Sequence, residues 1–111
     1  MMRGFFCLLL SLCEMDFPIT LYPDAIEYIS GEQRIALTEK ERENLRAFLQ
    51  KHSLAWQHDF KTYAHAQIFF AEKMHINCMT GGVIVNFLDE DGAWKQISKK
   101  IAEACPLPSQ P

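Results

Sequence analysis

Residues 75–87 read HINCMTGGVIVNF. Two runs rich in β-branched and apolar side chains, HINCMT and VIVNF, flank Gly81-Gly82, and a glycine pair suits the positive backbone angles of a two-residue hairpin loop. With that loop, Thr80 pairs with Val83, Cys78 with Val85 and Ile76 with Phe87. These six residues share one face, and that face belongs to the core. The opposite face aligns His75 with Leu88, Asn77 with Asn86 and Met79 with Ile84, a surface that is apolar and amide-rich at once. The run QIFFA at 67–71 precedes this hairpin, with Glu72-Lys73-Met74 as the turn between, so the second half of the chain predicts a three-stranded meander.

Upstream, AIEYIS and QRIAL flank Gly31-Glu32. A two-residue loop there pairs Ser30 with Gln33 and sets Ile26, Tyr28, Ile35 and Leu37 on the core side. A helix is expected from Glu39: Thr38 has the N-cap side chain, Glu41 stands three residues on as its capping-box partner, and Glu39 suits the positive end of the helix dipole. Leu45, Phe48, Leu49 and His52 form its apolar stripe. Residues 54–63 support two periods at once. Trp56, Phe60 and Tyr63 fit a helix, whereas Trp56, His58 and Phe60 alternate as in a strand, so this stretch is read as irregular. A last helix is expected from Asp91, carrying Trp94, Ile97, Ile101 and Ala104 or Cys105 inward, with Lys95, Lys99, Lys100 and Glu103 outward. The fold class is α+β: an antiparallel sheet, made of an N-terminal hairpin and a three-stranded meander, packed by a central helix and a C-terminal helix.

The ends carry a different composition. MMRGFFCLLLSLC, residues 1–13, sets one arginine before an apolar run that ends in small and thiol side chains, the order of an export signal. It falls short of the ~20 apolar residues a membrane span needs. A lipid-bearing Cys13 would depart from the usual pattern, because Leu12 stands where a small residue is expected. The alternative is a hydrophobic first strand of a cytoplasmic domain. If cleavage follows Cys13, the mature chain keeps Cys78 and Cys105, a pair able to form one disulfide in an oxidising compartment. Residues 14–105 form a single small domain, and PLPSQP at 106–111 reads as a disordered tail.

A formal charge of −3 and a pI near 5.7 remove the electrostatic drive toward phosphate backbones, so nucleic acid is not the expected partner. His75 and Cys78 form H-x-x-C, but on a strand positions three apart face opposite ways, which defeats a shared metal. His52, His58 and His65 share neither a helix face nor a strand face. Asp89-Glu90-Asp91-Gly92 resembles part of a calcium loop, yet Lys95 enters where acidic ligands continue. Ser53 and Ser98 have no nucleophile-elbow context. No catalytic residue, metal ligand set or cofactor site is assigned.

The candidate contact residues are His75, Asn77, Met79, Ile84, Asn86 and Leu88 on the outer face of the meander. Trp56, Phe60 and Tyr63 form a second aromatic candidate. The expected function is that of a small secreted or periplasmic protein-binding domain, an inhibitor or immunity protein that acts by stoichiometric binding to another protein. The alternatives are a small metal-binding protein or enzyme using His58, Asp59, His65 or His75, and a structural subunit of an envelope assembly.

Overall fold

A computed structural model describes residues 14–108, so the expected export segment and the last three residues of the tail lie outside the described residues. The elements run β1 (Glu14–Met15), a 3-10 turn (Ile19–Leu21), β2 (Glu27–Ser30), β3 (Gln33–Ala36), α1 (Glu39–Lys51), β4 (Trp56–His58), β5 (Gln67–Phe70), β6 (Met74–Met79), β7 (Gly82–Leu88) and β8 (Trp94–Lys100). The strands make one sheet in the order β1-β4-β8-β7-β6-β5-β2-β3, and every neighbouring pair is antiparallel. The described residues thus form a mostly antiparallel sheet with one α-helix. No helix among the described residues is long and apolar enough to cross a membrane.

Local chemistry accounts for the first half. In the β2–β3 hairpin Ser30 faces Gln33 and Tyr28 faces Ile35, as the Gly31-Glu32 loop requires, and Gly31 takes the positive φ of +62°. At the start of α1 both halves of the capping box form: the Glu41 amide donates to Thr38 Oγ1 at 3.1 Å and the Thr38 amide to Glu41 Oε1 at 2.9 Å. Such a cap contributes about 1 kcal/mol. Leu45, Phe48 and Leu49 of α1 join one core with Tyr28, Phe69, Ile76, Val85, Phe87 and Ile97 from the sheet.

The β6–β7 hairpin keeps the expected faces but shifts its pairing. Its loop is Thr80-Gly81 rather than Gly81-Gly82: Met79 faces Gly82, Cys78 faces Val83, Ile76 faces Val85 and Met74 faces Phe87. Gly81 takes the positive φ of +81°, and Gly82 is the first residue of β7. Moving the loop by one residue moves every partner by two, so Cys78, Ile76, Val83, Val85 and Phe87 stay on the core side. His75 now faces Asn86, and Asn77 faces Ile84.

The expected C-terminal helix is absent. Its residues form β8, paired with β7 from Gly82↔Lys100 to Leu88↔Trp94. Asp89 builds a turn where a helix start was expected: its Oδ1 accepts from the Asp91 and Ala93 amides, at 2.9 Å each, and Gly92 adopts φ +83°. Asp–Gly turn chemistry and helix-cap chemistry use the same side chains. Pairing decides between them, because without β8 the long apolar strand β7 would be left with an open edge. Ile97 consequently lies fully buried beside Val85, while Trp94 points to the outer face.

The segment read as irregular contains a short strand, β4, which pairs with β8 and carries β1 on its other side. After β8 the chain continues without regular structure through the buried Ile101 and Cys105. The Cys78 and Cys105 sulfurs lie at disulfide distance, 2.06 Å, with Cα atoms 6.3 Å apart.

Candidate partner-binding site

One face of the sheet packs against α1. On the other, the register aligns Arg34, Ile29, Ile68, Asn77, Ile84 and Ser98 in one row, and Glu27, Phe70, His75, Asn86 and Gln96 in the next. Among the described residues no helix covers this face. A strap of chain, residues 59–66, crosses it on the way from β4 to β5, and the sheet's own polar side chains hold it there.

Asn77 works at the far end of the strap. Its Nδ2 donates to the Ala64 carbonyl at 3.0 Å and its Oδ1 accepts from the Ala66 amide at 3.1 Å. At the near end Gln96 Nε2 donates to the carbonyls of Asp59 (3.2 Å) and Lys61 (2.8 Å), and the Ser98 hydroxyl donates to Asp59 Oδ2 at 2.7 Å. The Tyr63 hydroxyl and the Lys61 amide also donate to the Asp59 carboxylate. Together with the Asp59 amide, which donates to the Gln96 carbonyl of β8 at 3.0 Å, these side-chain bonds satisfy backbone groups of the strap.

Beside the strap an aromatic ladder crosses the strands. The Arg34 guanidinium lies over the Phe70 ring, 5.0 Å from its centroid; Phe70 stacks on His75 at 4.5 Å and 16°; and His75 meets Trp94 at 5.0 Å and 32°. Burial pushes the His75 imidazole below its ordinary pKa, so near neutral pH it stands in the ladder as an uncharged ring.

The expected contact residues therefore share one face but not one environment. Asn77, 8% exposed, and Ile84, 5% exposed, are buried, Asn77 as the clamp of the strap. His75, Asn86, Met79 and Leu88 are half-buried. Of the aromatic candidates, Trp56 is a core residue, Tyr63 is tied to Asp59, and Phe60 is 94% exposed on the strap. Trp94, half-exposed, lines the same shallow depression as Phe60, with His58, Lys61 and Lys95 around it. Sequence reading missed Arg34, Phe70 and Trp94 as members of a ladder. It also missed Asp59, Gln96 and Ser98 as holders of the strap, although the Asp-x-Lys-x-Tyr spacing of residues 59–63 suits an Asx turn closed by a hydroxyl. Among the described residues no three His, Cys, Asp or Glu side chains converge on a metal position. His52 is instead paired with Glu103 at 2.9 Å.

Asp59 makes the strap sensitive to acid. Burial pushes its carboxyl up, but the hydrogen bonds from Tyr63, Lys61 and Ser98, with the Lys61 charge, more than offset that, leaving it below its ordinary value of 3.8. A depressed folded-state pKa contributes stability in full above the ordinary value and loses it as pH falls through the folded-state value. Amides of residues 60–66 are therefore expected to lose exchange protection selectively in that acid window. Asp59→Asn should show the same loosening at neutral pH, and uniform protection in both cases would contradict the assignment.

Comparisons of this chain with protein-family models, curated proteins and solved structures find no match.

Proposed function

We propose that the chain is an exported, disulfide-bonded domain that acts by stoichiometric binding to another protein, in the manner of an inhibitor or immunity protein. The observation that carries the reading is Phe60, 94% exposed on a strap whose backbone is held at both ends by Asn77, Gln96 and Asp59. An exposed aromatic costs solubility and adds nothing to the core. Held on a fixed backbone, it binds with little further loss of conformational freedom. Trp94 beside it extends the apolar contact, and Lys61 and Lys95 stand at its edge, an arrangement of aromatic centre and charged rim typical of protein interfaces.

The contact surface thus centres on the strap and on the exposed edges of His75, Asn86 and Leu88, while Asn77 and Ile84 support it from beneath. The Cys78–Cys105 pair at bonding distance and the apolar first residues favour an oxidising destination, periplasmic or secreted.

The test uses cross-linked complexes recovered from the native host with the wild-type chain and with Phe60→Asp. The expected result is one protein enriched by the wild type and lost with the variant, which on purification forms a one-to-one complex by light scattering. Equal recovery with both chains would remove Phe60 from the interface, and failure to reconstitute a complex of fixed ratio would remove the reading.

A further inference from the structure

Beside the partner contact, and sharing Lys61 and His75 with it, the outer face holds a cleft of about 930 Å³ between the strap and the β2–β3 hairpin. That volume suits a small ligand, for which pockets of ~300–1,000 Å³ are usual. Ile29 and Ile68, directly opposed on β2 and β5, line it with the stacked Phe70 and His75. Its charged lining consists of Arg34, Lys61 and Glu32, so the cations that face the cavity are Arg34 and Lys61. The Arg34 Nε pairs with Glu27 Oε1 at 3.2 Å and its Cζ lies over the Phe70 ring, which leaves the two terminal amino groups as donors. Lys61 takes part in no ion pair among the described residues.

We propose that this cleft binds a small aryl carboxylate, with the carboxylate held by Arg34 and Lys61 and the ring packed against Ile68, Phe70 and His75. The guanidinium supplies a directional, charge-assisted pair of donors, and Ile29, Ile68 and the edges of the stacked Phe70 and His75 rings supply an apolar wall. A neutral ring lacks the first, and an inorganic anion lacks the second.

The test titrates the oxidised, isotope-labelled chain with 3-phenylpropionate and, separately, with its neutral counterpart 3-phenylpropan-1-ol, read by NMR. The acid is expected to give saturable shifts centred on Arg34, Ile68, Phe70 and His75, and the alcohol to bind at least about tenfold more weakly, the loss that one charge-assisted contact represents. Arg34→Gln and Lys61→Gln replace exposed cations, so the fold should survive, as an unchanged unfolding midpoint would verify. Each should weaken the acid about tenfold while leaving the alcohol as it was. Phe60→Ala, which puts no new charge beside Lys61, should leave the acid titration unchanged, since Phe60 does not line the cleft. Absence of saturable shifts, equal affinity for acid and alcohol, or undiminished acid binding in both variants would overturn the proposal.

Discussion

Trp56→Ala is expected to lower the unfolding free energy by about 3–5 kcal/mol, the usual cost of truncating a fully buried large aromatic. Trp56 has no exposed surface, its ring lies 5.4 Å from that of Phe17, and its indole N–H donates to the His52 carbonyl at 2.7 Å. Truncation leaves a cavity, an unpaired carbonyl at the end of α1 and a weakened β4. Since β4 pairs with β1 and leads into the strap, the loss should also spread along the chain. Small domains hold about 5–15 kcal/mol in total, so much of the available stability is at stake. Trp56→Phe keeps most of the buried area and loses the hydrogen bond, and should fall between the two. Urea unfolding measures all three chains; a loss below about 1 kcal/mol for the alanine variant would show that the site relaxes around the gap.

Removing the link between Cys78 and Cys105 is the second large effect. The two residues are 27 apart in sequence, and closing a loop of that length restricts the unfolded chain by an amount worth about 3.5 kcal/mol. The link also fastens the irregular C-terminal segment to β6, since no hydrogen-bonded strand follows β8 in the described residues. The double variant Cys78→Ala with Cys105→Ala should unfold at clearly lower urea and release the segment around Ile101 to exchange first. Intact mass from the native host, before and after reduction, gives the matching chemical result: the recovered chain should lack residues 1–13 and be lighter than its reduced form by two hydrogens. Free thiols and an uncut start would place the protein in a reducing compartment.

What sequence could reveal follows the range of the forces involved. The capping box of Thr38 and Glu41, the stripe of Leu45, Phe48 and Leu49, and the Gly31-Glu32 hairpin rest on residues a few positions apart, and all three are present in the structure. The face assignment of β6 and β7 also survived a wrong loop position, because alternation is unaffected by a shift of two. β8 was hidden because Asp89 and Gly92 serve a turn as well as a helix start, and because the spacing of Trp94, Ile97 and Ile101 imitates a helical stripe. The available clue was VIV at 83–85, apolar on both faces as in a strand with neighbours on each side.

The candidate site was less legible still. Asn77 comes from β6 and Gln96 and Ser98 from β8, and they meet the strap only after the sheet is complete, so their roles as holders have no local signature. The Asn77 amide proved to be buried, and an ambiguous aromatic, Phe60, proved to be the most exposed large apolar side chain among the described residues. Its neighbours in sequence, Asp59 and Lys61, are pinned by bonds that originate far along the chain.

The most direct measurement of the central claim is site-specific photo-cross-linking in the native host, with a benzophenone amino acid placed at Phe60 and, as the reference, at Lys40 on the exposed start of α1. A single adduct of defined mass from position 60, absent from position 40, is the result predicted for a strap that presents Phe60 to one protein partner. No adduct, or the same scatter of products from both positions, would contradict it.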